Sequence, residues 1–176
     1  IVSNYKDLYK ESEEYATNRI AQAAKDGYVQ IAFGLKLRTP LLKRTVMSSS
    51  MKANISEAEA RTAGNALSQS YGLLNCKAAN DFMERVYASP YKYDIMPVMQ
   101  IHDAQYYIFP DDVDIVKWVN DNLAECMSWQ DLPELQHDIV KLGAELDILY
   151  PHWGNAITLK NNASIEEIYN TVSKQS

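Results

Sequence analysis

Only two cysteines, Cys76 and Cys126, occur in 176 residues; they stand far apart and neither has a CxxC partner. That pattern excludes a disulfide framework and a cysteine-based zinc site, and it fits a reducing cytoplasm. No apolar run reaches the length needed to cross a bilayer, and no charged-then-apolar signal pattern opens the chain, so a soluble protein without a membrane partner is expected. Histidine is sparse: His137 and His152 have no partner at metal-ligand spacing and read as surface or core residues. Neither a Gly-rich phosphate loop nor a Ser-His-Asp arrangement can be read. Positive charge is in deficit, 17 Lys and Arg against 23 Asp and Glu, and the net charge of −6 taken alone argues against a nucleic-acid partner.

The deficit is not uniform. Residues 1–61 carry ten Lys or Arg against seven Asp or Glu, whereas residues 62–176 carry seven against sixteen. The basic excess concentrates in Lys25, Lys36, Arg38, Lys43, Arg44 and Lys52, which face only Asp26. A local patch can bind phosphate even on an acidic chain, although an ordinary solvated loop explains the charge equally well. At 47% hydrophobic and 23% charged, the chain can bury one sizeable core, and a single domain over 1–176 is expected. It opens in mid-pattern without a methionine, which suggests a segment of a longer protein. Most of the twelve tyrosines are assigned to packing, and Trp118 and Trp129, which bracket a helix, to the core.

Apolar spacing predicts a helix from Ser3 to Lys25, stopped by Gly27. A hairpin follows, with Tyr28–Ala32 and Leu35–Thr39 flanking Phe33-Gly34 and Pro40 ending it. The Ser48–Ser50 stretch reads as a loop. Ser56 with Glu59 is a capping-box signature for a helix running through Arg61, Asn65 and Gln69, and that helix or a successor continues to about Tyr87, before Ser89-Pro90; Gly72 suggests tight packing there. Asp111 or Asp112 caps a helix carrying Val113, Val116, Val119 and Leu123, residues 139–142 and 145–149 suggest further strands, and Ser164 with Glu167 caps a last helix. Hairpins and helices without a βαβ rhythm argue for an α+β architecture.

Two constellations carry chemistry. Met96 to Phe109 reads as two short strands meeting at His102-Asp103, which sets one carboxylate at a hairpin tip where it can hold a metal. Turn chemistry alone explains an isolated aspartate there more readily. The second constellation shifts that balance: Arg61, Asn65 and Gln69 are four apart, so they share one helical face, and no compensating acid is evident from the pattern. Each can donate hydrogen bonds to sugar, phosphate or a base edge, although an ordinary polar helix face accounts for them as well.

Taken in order, Gly27-Tyr-Val-Gln-Ile-Ala-Phe-Gly34-Leu-Lys-Leu-Arg38-Thr-Pro40, Arg61-Thr-Ala-Gly-Asn65-Ala-Leu-Ser-Gln69 and Val98-Met-Gln-Ile-His102-Asp103 resemble the C-terminal part of the A family of DNA polymerases, the bacterial polymerase I-like enzymes. Phage members are nearest in character, which implies a host cytoplasm. Gly143 and Trp153-Gly-Asn155 match the family's last strand and Asn-Trp pair only loosely, so the resemblance covers roughly Tyr9 to Asn155. It implies a palm segment with antiparallel strands, packed helices and incomplete fingers, acting on primer-template DNA and deoxynucleoside triphosphates. In that family Asp103 would be a palm carboxylate binding the two catalytic Mg²⁺ ions, with His102 against the primer terminus. Arg61, Asn65 and Gln69 would track the primer-template, mainly through the minor groove, and Arg38 with its basic neighbours would hold the DNA backbone. Such chemistry needs two metals about 3.5–4 Å apart, held by hard oxygen ligands.

Two departures qualify the resemblance. The family usually has Glu after this aspartate, whereas Ala104 and Gln105 follow here. The family's other essential aspartate and its nucleotide-binding fingers helix normally lie before the point at which this chain begins, so the chain alone is expected to be inactive and to need a separate N-terminal polymerase polypeptide. The rival reading is a non-catalytic DNA-binding or interaction module that keeps the fold. A His-Asp phosphohydrolase fits less well, since His137 and His152 are poorly placed for a metal.

Overall fold

The computed structural model describes residues 8–47, 53–128, 138–139 and 142–173. Within them the chain is α+β, with six α-helices and three two-stranded antiparallel sheets. It divides into two compact units, residues 1–74 and 75–176.

The first unit is built around small side chains. Helix α1 (Lys10–Asp26) ends at Gly27, whose φ of 82° is the left-handed conformation that stops a helix cleanly. Strands β1 (Tyr28–Gln30) and β2 (Lys36–Arg38) pair with Tyr28 opposite Arg38, so the expected hairpin forms with shorter strands. Pro40 opens α2 (Pro40–Met47) and α3 (Ala53–Gly64) follows. Ala23, Ala24, Val29, Leu42, Ala63 and Ala66 form the buried core. The expected capping box at Ser56 does not form. Helix α3 has already begun at Ala53, Ser56 is buried within it, and the Glu59 carboxylate instead accepts from the Leu42 amide at 2.7 Å, supplying an acceptor to the first turn of α2.

The second unit takes in most of α4 (Ala66–Ala88), the hairpin β3 (Met96–Ile101) and β4 (Ala104–Ile108), α5 (Val113–Met127), the pair β5 (Leu146–Leu149) and β6 (Ala156–Leu159), and α6 (Ile165–Ser173). Phe82 and Val86 of α4, Ile95, and Ile115, Val119, Leu123 and Cys126 of α5 make its main core. Trp118 packs against that core as expected, with Phe82 and Tyr91 each 5.8 Å away between ring centroids. Asp112 caps α5 by accepting from the Asp114 amide at 2.8 Å. Ser164 and Glu167 form the reciprocal capping box, and donation from the Ser164 amide holds the Glu167 carboxyl below the usual carboxylate range. Asn120, fully buried on α5, donates to the Lys160 carbonyl and accepts from the Ala163 amide, fixing the turn between β6 and α6.

Strand β6 was not anticipated, and a strand over 139–142 lies partly outside the described residues. Ser48–Ser50, Lys52, Trp129 and His137 also lie outside them. Gly72 does not mark a close approach: a Cβ placed there meets nothing within 4 Å.

Candidate functional site

In the second unit, β3 and β4 run antiparallel with Ile101 opposite Ala104, which leaves His102 and Asp103 as a two-residue turn. His102 has a φ of 52°, and Asp103 is not among the residues with positive φ. Positive φ at the first central residue alone is the sign pattern of a type II′ turn, whose twist suits a hairpin and whose first position favours glycine. A histidine held there costs roughly 1–2 kcal/mol of backbone strain. Such a cost persists only where the surroundings enforce it, and here α4 does. Asn75, 4% exposed, donates its side-chain amide to the His102 carbonyl at 3.1 Å. Gln105 donates back to the Asn75 carbonyl at 3.4 Å, and Gln100 contacts the Cys76 sulfur at 3.4 Å.

Those contacts decide which way each strand residue faces. Gln100, Gln105 and Tyr107 lie toward α4, Tyr107 packing edge-on against Phe82 at 4.9 Å. Strand alternation and the register then put Met96, Met99, Ile101, Ala104, Tyr106 and Ile108 on the opposite face. A bulge between Pro97 and Met99 makes Val98 the extra residue. Met96, Met99, Ile101 and Ile108 are exposed there, while Tyr106 stacks on Trp153 with centroids 4.8 Å apart. The Tyr107 hydroxyl is buried without a hydrogen-bond partner among the described residues, and burial pushes its pKa up to about 12.

His102 and Asp103 are both exposed at the tip. A carboxylate in that position is a hard oxygen ligand free of geometric hindrance. Among the described residues no group of three His, Cys, Asp or Glu side chains converges as a metal site, so Asp103 fits Mg²⁺ as one ligand and not as a whole centre. His152, also exposed, is not part of such a group.

In the first unit, Arg61, Asn65 and Gln69 are joined by consecutive i to i−4 backbone bonds, Asn65 N to Arg61 O at 2.9 Å and Gln69 N to Asn65 O at 3.2 Å. The single helix expected there is divided at Asn65 into α3 and α4, yet the three residues keep successive turns and all are exposed. The expectation that no acid balances them is corrected: Glu57, one turn earlier, pairs with Arg61 at 2.5 Å. Asn65 accepts from the Ser68 hydroxyl at 3.1 Å. Arg38 is exposed at the end of β2, and Lys36 of the same strand lies 4.2 Å from the centroid of the Tyr28 ring.

Asn75, which enforces the hairpin turn, was missed in the sequence. Its one signal is an asparagine inside a helix of apolar neighbours, where an unpaired amide would be costly. No helix among the described residues is long and apolar enough to cross a membrane. No family model and no curated protein matches this chain.

Proposed function

We propose that this chain is the C-terminal palm-and-fingers part of a template-directed DNA polymerase of the A family, contributing one Mg²⁺ ligand and primer-template contacts to nucleotidyl transfer. The observation that carries the reading is the His102-Asp103 turn: a strained two-residue hairpin tip, tied down by a buried asparagine, that presents an exposed carboxylate. Strain maintained by dedicated support is characteristic of functional positions. The order of Arg38, the Arg61-Asn65-Gln69 face and this turn along the chain adds to it.

In this reading Asp103 is one ligand of a centre whose other carboxylates come from outside the described residues. Bound there, Mg²⁺ supplies charge neutralisation at the transferring phosphoryl group and activation of the primer 3′-hydroxyl. The chain's own contribution is positioning. Asn75 fixes the turn, the turn fixes Asp103, and His102 beside it meets the primer end. Arg61, Asn65 and Gln69 present donors to acceptors that all base pairs share in the minor groove, which grips a duplex regardless of sequence. Arg38 holds backbone phosphate. A separate or preceding polypeptide supplies the remaining carboxylates and the triphosphate-binding groups.

The test joins the chain to the polypeptide encoded immediately upstream and follows extension of a labelled primer with four deoxynucleoside triphosphates and Mg²⁺. Extension is expected, and Asp103→Ala should abolish it. A folded assembly that extends nothing overturns the reading. A second reading, a DNA-binding module without chemistry, is favoured by Ala104 beside the only carboxylate at the tip; it requires DNA affinity that needs no Mg²⁺ and survives Asp103→Ala.

A further inference from the structure

The tip of the first hairpin has a geometry that packing does not explain. Ala32 to Leu35 close a tight turn, the Leu35 amide donating to the Ala32 carbonyl at 3.3 Å. Both central residues have positive φ, 58° at Phe33 and 74° at Gly34. That is the sign pattern of a type I′ turn, in which Asn, Asp or Gly is the usual first residue. A phenylalanine there is conformationally unfavourable and has no core to fill, since Phe33 is 47% exposed and Leu35 is exposed beside it. The turn is nonetheless held in place, because the Ser70 hydroxyl accepts from the Ala32 amide at 3.0 Å.

The strand leaving this tip is cationic. Lys36 and Arg38 alternate with Leu37, which packs on the core, so both cations lie on the outward face with Tyr28 and Gln30 opposite them. From Gly27 to Ser56 the sequence has no Asp or Glu at all. An exposed aromatic ring followed by two outward cations on successive same-face positions is the combination that binds single strands, the ring stacking on a base and the cations tracking phosphates. An apolar protein partner would gain little from the charges, and the acid-free stretch favours a polyanion.

We propose that the Phe33 tip is a stacking platform for an unpaired DNA base, with Lys36 and Arg38 on the flanking phosphates. This rests on the nucleic-acid reading above and adds a single-stranded subsite to it, distinct from Arg61, Asn65 and Gln69. The ring's exposure and fixed turn mean it meets a base without rearrangement, so little ordering cost opposes stacking.

Fluorescence anisotropy of the full chain with labelled oligothymidylate, and separately with a blunt duplex, tests the proposal. Phe33→Ala should weaken single-strand binding about 10-fold and leave duplex binding unchanged, while Phe33→Trp should retain both. Phe33→Asn removes the ring but tolerates positive φ, so it should reproduce the loss with the fold intact by circular dichroism. Lys36→Ala and Arg38→Ala should each lower the salt dependence of single-strand binding by about 0.7 in the log–log slope. Unchanged single-strand affinity in both ring-removing variants overturns the platform and leaves the polymerase reading standing. A chain that binds neither strand form overturns both.

Discussion

Asn75 and His102 stand 27 positions apart in sequence and meet through one bond, the asparagine amide donating to the histidine carbonyl at 3.1 Å. It joins the helix that contributes Phe82 and Val86 to the second unit's core with the turn that exposes the Asp103 carboxylate. Removal of the amide leaves the strained turn without that support. Asn75→Ala is expected to lower unfolding free energy by about 1–3 kcal/mol, measured by urea denaturation, and to reduce extension by the completed assembly. Full activity with normal stability would show that the turn holds itself.

His102→Gly removes both the strain and the ring. Relief of positive φ and the larger entropy of unfolded glycine nearly cancel, so stability should change by less than about 1 kcal/mol. Primer extension, in contrast, should fall. A large loss of stability would mean that the imidazole has a packing role.

The buried Tyr107 hydroxyl has no hydrogen-bond partner among the described residues, so Tyr107→Phe should be neutral or stabilising by up to about 1 kcal/mol. The pH dependence has a definite sign. With the folded pKa raised to about 12 from 10, the unfolded state loses its proton first, and stability falls as pH rises through that interval. The difference between wild type and Tyr107→Phe should be constant below about pH 10 and change only above it; a difference that grows toward acid pH would contradict the assignment.

Asn120→Ala removes two bonds and leaves the Ala163 amide buried without its acceptor. A cost of about 2–4 kcal/mol is expected in thermal or urea unfolding. A change under 1 kcal/mol would show that the turn after β6 relaxes freely.

Gly72 sits within α4 with open space where a Cβ would go. Gly72→Ala should therefore stabilise by about 0.5–1 kcal/mol, read as a raised midpoint. Destabilisation would reveal a close approach at that position.

Local signals were readable where local chemistry decides the outcome. Asp112, the Ser164 and Glu167 box, Gly27 and both hairpins follow from side chains acting on backbone within a few residues. Glu59 misled because its acceptor serves a helix 17 positions back, a tertiary choice that no local pattern records. The bulge at Val98 is another such case. Strict alternation would group Pro97 with Met99 and Ile101, whereas the extra residue places Met96 with them. At the candidate site the sequence made His102, Asp103 and the Arg61 face visible as residue types at spacings. The support from Asn75 and the ion pair to Glu57 depend on distances that only folding sets.

That ion pair has a kinetic meaning. An exposed glutamate one turn ahead of an arginine contributes only about 0.3–0.5 kcal/mol, so exchange for another anion is almost free. Meanwhile the pair ties the guanidinium to the preceding turn, with part of its rotamer freedom already lost. On the proposed DNA-binding reading, Glu57 would hold Arg61 in place until a minor-groove acceptor takes over its donors.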